Sequence, residues 1–382
     1  MTRLSSLGRR IAIAEPETPD IDAALSRLRI VLESGCFTHG LEVERLEHEA
    51  AEALGVAHCV AVSSCTSGLM LVERCLNLHG EVITPSFTFF ATAHGLLWNG
   101  LRPRFADIDA HTAQIDPESV ARAIGPETGG ILGVHLFGCP APVVRLEELA
   151  RSRGVPLIFD GAHALGATVD GRTVAAWGDA TVYSLSPTKQ LTAGEGGLIA
   201  TRHAELAATL RKARNYGKGA TYDCEVLGLN ARMTEFQAAL CREGLSSLTA
   251  TIERRRGIAA IYEEEFSTSE GIRLQAIPSN AASGRKDFAF FVRTERGFER
   301  EAVEAALDSA GVETRRYFDP PLHEQTLYRR FHDPEREPLT ETIRASRDVV
   351  CLPIHRGVSE ADARAIARIA AAALLRVDAV SR

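Results

Sequence analysis

The sequence predicts an α/β protein with a mostly parallel β-sheet wrapped by helices and a smaller α+β C-terminal domain. Between residues 57 and 201, short apolar runs alternate with helical patterns, which is typical of a parallel sheet covered by helices. The apolar runs are continuous rather than alternating, which indicates strands buried on both faces. After Asn230 this alternation stops, which predicts a second domain.

The predicted elements of the sheet domain follow in a regular order. A strand over 57–62 precedes a helix that reaches Leu78, and a strand over 81–85 precedes a helix that reaches Trp98. Five more apolar runs predict strands, separated by helical or turn segments: RPRFADI, ILGVHLF, VPLIFD, DATVYS and GLIAT. In such sheets ligands bind at the carboxyl ends of the strands.

The C-terminal part predicts long helices over 233–266, where few helix breakers occur. A strand over 287–294, a helix near 299–310, a strand from Val312 and a last helix from Ser359 follow. We therefore predict a large domain over 1–250, including an N-terminal arm, and a small α+β domain over 251–382.

Composition and charge exclude several classes of function. Hydrophobic residues make up 45% and charged residues 24%, the balance of an ordinary globular protein. The net charge of −7 offers no basic field for nucleic acid or an anionic membrane. The eight cysteines contain no C-x-x-C pair, which predicts no metal site and a reducing, cytoplasmic location. The N-terminus has no apolar stretch that predicts a secretory signal.

Three segments at predicted strand ends carry reactive or ligand-binding side chains. Lys189 lies in a turn-like stretch after one strand, Asp160 ends another, and SSCTSGL (63–69) opens a helix after a third. Each also has a plain structural interpretation: a solvated lysine, a helix N-cap and a capped helix start. Together they supply an amine, an acid and a helix N-terminus suited to a phosphate, which is what pyridoxal phosphate requires of a protein.

The chain resembles the DegT/DnrJ/EryC1/StrS family of sugar aminotransferases, which depend on pyridoxal phosphate and have fold type I. The matching segments occur in order from residue 35 to residue 240. They are GCFTHG (35–40), SSCTSGL, TPSFTFFAT (84–92), VHLFGCP (134–140), FDGAHALGA (159–167), YSLSPTKQLTAGEGG (183–197), RNYGKG (214–219) and LGLNARMTEFQAAL (227–240).

The resemblance implies a role for each matching residue. Lys189 binds the cofactor covalently and transfers protons, Asp160 pairs with the pyridine nitrogen, and His163 lies beside the ring. Phe89 stacks on the ring unless it is an ordinary core phenylalanine. The phosphate is bound by Thr66, Ser67, Ser184 and, from the other subunit, Asn230. Arg232 reaches across the same dimer toward the substrate, so the resemblance implies a homodimer with shared active sites.

The substrates are inferred from the same resemblance. The donor is an amino acid, L-glutamate, and VETRRYFDPPLHEQ (312–325) resembles members that aminate nucleotide-linked 4-keto-6-deoxyhexoses. Arg316, Tyr317 and His323 are therefore candidate sugar-binding residues, although they have a structural alternative in packing between the domains or capping a loop. With a negative net charge, a nucleotide needs local cations; Arg232, Arg315, Arg316 and Lys218 are the candidates. A C-3 keto-sugar or a keto-cyclitol is the alternative acceptor.

Three other interpretations fit the sequence less well. Residues 186–189 read S-x-x-K, the serine nucleophile motif of penicillin-binding proteins, but no K-T-G or S-D-N partner occurs. A dinucleotide-binding oxidoreductase would need a glycine-rich phosphate motif after the first strand of the sheet, and none is present. A non-enzymatic scaffold would have no use for a proton-transfer lysine.

Overall fold

A computed structural model of the chain describes residues 8–380, with side chains from 8 to 374. The helices in this part are α1 Ile21–Ser34, α2 Leu41–Leu54, α3 Cys65–Cys75, α4 Ala91–Trp98, α5 Pro117–Ala123, α6 Val143–Arg153, α7 Ala204–Ala213, α8 Glu235–Leu245, α9 Leu248–Phe266, α10 Arg300–Ser309, α11 Thr340–Asp348 and α12 Glu360–Val380. Over the described residues, no helix is both long enough and apolar enough to cross a membrane.

The strands form one large and two small sheets. They are β1 His58–Val62, β2 Glu81–Pro85, β3 Arg102–Ala106, β4 Thr128–Val134, β5 Leu157–Asp160, β6 Thr168–Val169, β7 Arg172–Thr173, β8 Ala180–Ser184, β9 Gly197–Thr201, β10 Ile272–Leu274, β11 Ala281–Ala282, β12 Phe288–Val292 and β13 Val349–Leu352.

The large sheet has the order β1-β9-β8-β5-β4-β2-β3. Strand β9 runs antiparallel to both of its neighbours, and the other strands run parallel to one another. Successive residues of a strand point to opposite faces of the sheet, and each face packs in its own core. Phe159, for example, packs in the core beneath α2 and α6, whereas Ile158 packs in the core beneath α3 and α7. This arrangement confirms the predicted mostly parallel sheet wrapped by helices.

The C-terminal part contains an antiparallel sheet of order β10-β12-β13 that packs with α9, α10 and α12 around a separate core. Helix α9 joins the two parts, because Leu248 and Ile252 lie in a large-sheet core whereas Ile258 lies in the C-terminal core. The boundary near residue 250 stays a prediction. Ile11, from the arm assigned to the large domain, lies in the C-terminal core and bridges to Val312.

The sheet topology brings the segments at the predicted strand ends together. Strands β8 and β5 are neighbours, and β9 alone separates β8 from β1. Because β1, β5 and β8 point the same way, their carboxyl ends lie at one edge. The start of α3, Asp160 and the loop that carries Lys189 therefore meet there.

Candidate active site

A cavity of about 360 Å³ lies at this edge of the sheet. Residues singled out in the sequence contribute to its wall: Thr66, Phe89, Asp160, His163, Ser184, Lys189 and Tyr317. The C-terminal part closes one side of the cavity with Lys286, Asp287, Tyr317 and Phe318. The cavity is therefore built from both parts of the chain.

Lys189 is a partly buried amine on this wall, not a solvated surface lysine. Its backbone N–H donates to the Ser186 carbonyl at 3.0 Å, which fixes the turn after β8. Burial, assisted by the positive charge of Lys286, lowers the pKa of Lys189 to about 8, against opposing contributions from Asp287, Cys65 and Asp160. The lowered pKa makes far more of the amine neutral and nucleophilic near physiological pH than in an ordinary lysine.

Asp160 ends β5 with its carboxylate almost fully buried. Its Oδ2 accepts the Thr92 hydroxyl at 2.7 Å, and its Oδ1 accepts the Ala162 N–H at 3.0 Å. Burial raises the pKa of Asp160, and these two bonds, together with Lys189, oppose the rise. Among the described residues, no Lys, Arg or His forms an ion pair with this carboxylate. It is therefore suited to a cationic nitrogen on a ligand.

The first turn of α3 lies beside these groups. Ser64 caps the helix, and Ser67 completes a capping box, because its hydroxyl accepts the Ser64 N–H at 3.1 Å. Ser67 does not line the cavity, whereas Thr66 and Ser184 do. The N–H groups of Cys65 and Thr66 precede the first intrahelical bond, so they are free to bind an anion. Burial raises the pKa of the Cys65 thiol, which makes it a poor nucleophile.

His163 and Phe89 complete the interior of the cavity. The Nδ1 atom of His163 accepts the Phe137 N–H at 3.2 Å, so the neutral ring carries its proton on Nε2. Burial and the nearby charge of Lys189 lower the pKa of His163, which keeps the ring neutral. Phe89 is 45% exposed, and its ring centroid lies 6.1 Å from that of Phe318. A half-exposed ring at the cavity wall is not an ordinary core phenylalanine.

Two of the expected sugar-binding side chains lie elsewhere. Arg316 donates to Glu304 at 2.8 Å and also pairs with Glu301, so acidic residues already neutralise its charge. His323 is buried, with its Nδ1 atom 2.7 Å from the Ser86 hydroxyl. This contact agrees with the alternative given above, in which the side chain packs between the domains or caps a loop. Neither side chain lines the cavity, and their contact with the sugar stays a prediction.

Asn230 and Arg232 also lie outside the cavity wall. Asn230 is exposed, and its backbone forms a bridge to Asn215. Arg232 Nη1 donates to Asn215 Oδ1 at 2.7 Å, and its guanidinium lies 5.2 Å from the centre of the Tyr216 ring. The expectation that both act in the site of another subunit stays a prediction.

Thr92, Lys286 and Asp287 lie at the site but were not predicted from the sequence. Thr92 occurs in TPSFTFFAT, the matching segment that also contains Phe89, but the resemblance assigned no role to it. Lys286 and Asp287 stand directly before the buried strand β12, and two adjacent charges at the start of an apolar run are a signal that could have found them. In the described part of the chain, no cluster of three or more metal-ligating side chains is present.

Comparison with known proteins identifies the family. The model described as the DegT/DnrJ/EryC1/StrS aminotransferase family matches residues 20–370. The chain belongs to this family. The match confirms the predicted family, fold class and enzyme class, a pyridoxal-phosphate-dependent aminotransferase.

Two curated relatives illustrate the range of the family. The UDP-N-acetyl-3-dehydro-alpha-D-glucosamine 3-aminotransferase of Acidithiobacillus ferrooxidans is 36% identical over 328 residues, or 84% of this chain and 87% of that protein. The dTDP-4-amino-4,6-dideoxy-D-glucose transaminase of Shigella dysenteriae is 29% identical over 350 residues, or 91% of this chain and 95% of that protein. The names of these relatives differ in the sugar carbon that bears the amine.

Solved structures of the family have the same fold. DesI, crystallised in the presence of its TDP-sugar product, gives a TM-score of 0.92 at 35% identity, covering 99% of this chain and 96% of that chain. DesV from S. venezuelae, solved with a ketimine intermediate, gives a TM-score of 0.87 at 31% identity, covering 94% of this chain and 99% of that chain.

Three features of the cavity fit pyridoxal phosphate: a carboxylate, an amine and a group of backbone amides. Asp160 is a buried carboxylate with no cationic partner among the described residues, as a carboxylate facing a pyridinium nitrogen requires. Lys189 is a partly buried amine with a lowered pKa. The amides at the start of α3 supply the site for a phosphate.

Proposed function

We propose that this enzyme transfers the amino group of L-glutamate to C-4 of a nucleotide-linked keto-deoxysugar. The observation that supports this most directly is the cavity that combines Lys189, Asp160 and the first turn of α3. Support for the sugar comes from the relatives, whose names describe nucleotide-linked sugars.

The proposed chemistry assigns a task to each group. When bound, pyridoxal phosphate supplies an electron sink for the carbon that loses its proton. Lys189 would hold the cofactor and, once displaced by the amino donor, would move the proton as general base and then general acid. Asp160 would keep the ring nitrogen protonated. Thr66, Ser184 and the amides of Cys65 and Thr66 would hold the phosphate.

The nucleotide requires cations that no carboxylate already neutralises. Arg315 pairs with Glu313, and Arg316 pairs with Glu304. Among the described residues, neither Arg232 nor Lys218 has a carboxylate within ion-pair distance. Lys218 belongs to the turn over 215–218, and Arg232 donates to Asn215 of the same turn. We therefore assign the diphosphate contact to Arg232 and Lys218.

The proposed dimer has support in exposed apolar surface. Ile21, Leu25 and Ile30 on α1 and Leu41 on α2 are each more than half exposed, and such surface favours an interface. Asn230, also exposed, would then reach the phosphate of the other subunit. A cytoplasmic location agrees with eight cysteines that are all free thiols.

The test is a panel of acceptors offered with glutamate that carries an isotope-labelled amino nitrogen. We expect the label to appear in a nucleotide-linked 4-keto-6-deoxyhexose, detected by mass spectrometry. A 3-keto nucleotide sugar as the best acceptor would support the first alternative. Equal turnover of a free keto-cyclitol, without inhibition by nucleoside diphosphate, would refute the nucleotide-sugar assignment.

The variant Arg232→Met tests the contact with the nucleotide separately from general effects on activity. Arg232→Met is expected to raise KM for the nucleotide sugar at least tenfold, because a charge-assisted phosphate contact contributes about 1.5–3 kcal/mol. KM for glutamate should change far less. Arg153→Met, at an exposed position of α6, is the matched control. Equal changes for both substrates would contradict the contact.

A further inference from the structure

Lys286 and Asp287 lie on the cavity wall in a fixed position that the proposed chemistry does not use. They directly precede β12, on a turn that packs against the large domain. The Gly284 N–H donates to the Gly138 carbonyl at 2.9 Å, and a Cβ atom at Gly138 would lie only 2.7 Å from the Arg285 nitrogen. Close backbone contact thus fixes the two side chains against the cavity.

The two side chains form a buried ion pair that is only half satisfied. Their exposed fractions are 6% for Lys286 and 8% for Asp287, and the ammonium donates to Oδ1 at 2.6 Å. The other oxygen, Asp287 Oδ2, has no hydrogen-bond partner among the described residues. An unsatisfied buried acceptor is costly unless a ligand supplies the donor.

His163 does not supply that donor. Its Nδ1 atom lies 3.7 Å from Asp287 Oδ2, beyond hydrogen-bond distance. The same nitrogen accepts the Phe137 N–H at 3.2 Å, so in the neutral ring it carries no hydrogen to give. Asp287 Oδ2 is therefore an acceptor whose donor must come from the contents of the cavity.

The chemistry of the pair favours a hydroxyl over an ammonium as this donor. Lys286 already neutralises Asp287, so the pair has no net charge to attract the amino group of the donor. A hydroxyl both donates and accepts, and it can thus bond to Oδ2 and to a remaining hydrogen of the Lys286 ammonium. We infer that Lys286 and Asp287 bind a ring hydroxyl of the acceptor sugar and determine which keto-sugars are aminated. This inference rests on the proposed function.

The test compares the cognate nucleotide keto-sugar with analogues that each lack one ring hydroxyl. The wild-type enzyme is expected to lose about 10- to 100-fold in kcat/KM with one analogue. In Asp287→Asn this preference should largely disappear, so that the parent sugar and the analogue react with similar kcat/KM. Because Asp287 also influences the pKa of Lys189, both enzymes are compared at a pH well above that pKa. Asp308→Asn, at an exposed position of α10, should retain the full preference.

Several outcomes would overturn the inference. These are a preference that persists in Asp287→Asn, or a wild-type enzyme that accepts every deoxy analogue as well as the parent. Because Asp287→Asn leaves Lys286 unpaired, the double variant Lys286→Gln with Asp287→Asn provides the same comparison without a buried charge, and its thermal unfolding verifies the fold. Failure of the proposed function is separate, since the wild-type enzyme would then aminate no nucleotide sugar.

Discussion

The carboxylate of Asp160 receives one side-chain hydrogen bond among the described residues, and Thr92→Val removes it. The Thr92 hydroxyl is fully buried and lies 2.7 Å from Asp160 Oδ2. Its oxygen also lies 2.9 Å from the Thr88 hydroxyl, which donates because the Thr92 proton is directed to Asp160. A hydrogen bond to a charged group contributes about 1.5–3 kcal/mol, which corresponds to about one to two pKa units.

The direction of the effect follows from the surroundings of Asp160. Burial raises the pKa of Asp160, and the bonds from Ala162 and Thr92 counteract this. Without Thr92, the pKa rises further, so the carboxylate is protonated at higher pH. Because only the ionised carboxylate pairs with a protonated ring nitrogen, the acid limb of pyridoxal phosphate binding should move to higher pH by about one to two units.

The assay is the dissociation constant of pyridoxal phosphate from the apoenzyme, measured by absorbance across a pH series. Thr84→Val is the matched control, because Thr84 is equally buried and its hydroxyl has no partner among the described residues. The control should bind the cofactor as the wild type does. An unchanged acid limb in Thr92→Val, or the same shift in both variants, would refute the role given to Thr92.

Three further predictions concern the lysine, the dimer and the fold. The pKa of Lys189, lowered to about 8 mainly by burial, predicts that the rate of cofactor capture rises with pH and levels off above about 8, measured by stopped-flow absorbance; a midpoint at the ordinary lysine value would contradict it. Mixing Lys189→Ala with Asn230→Ala subunits should restore up to one intact site per mixed dimer, and no recovered activity after verified subunit exchange would count against a shared site. Glu235→Ala should lower the free energy of unfolding by about 2–4 kcal/mol, because its carboxylate accepts the N–H groups of Gly40, Glu42 and Val43 at the start of α2. The exposed Glu264→Ala is the control, and equal melting temperatures for the two variants would show that these three hydrogen bonds do not stabilise the fold.

The sheet and its reactive edge could be predicted from the sequence because both depend on local patterns. Continuous apolar runs indicate buried strands, and a parallel sheet aligns their carboxyl ends. Asp160 ends one such run, and Lys189 lies in the turn after another. Local pattern was therefore enough to predict that the two side chains lie at the same edge of the sheet. The antiparallel direction of β9 was not predictable in this way, because β9 is buried along its whole length, as is its neighbour β8, which runs in the opposite direction.

The contacts between the two parts of the chain could not be predicted from local pattern. Arg316 was expected in the sugar site because of its motif, but Glu301 and Glu304 on α10 neutralise it. Conversely, Asp287 reaches the cavity only because its turn packs on Gly138, about 150 residues earlier in the chain. Such long-range packing decides which charges are paired and which face the ligand.

The central claim is that Lys189 carries the cofactor, and two lysines on the cavity wall make the claim directly testable. Borohydride reduction of the enzyme loaded with pyridoxal phosphate makes the bond to the lysine permanent, and peptide mass spectrometry then locates it. The account predicts the reduced cofactor on Lys189, with Lys286 unmodified in its ion pair with Asp287. Recovery of the cofactor on Lys286, or no covalent adduct at all, would contradict it.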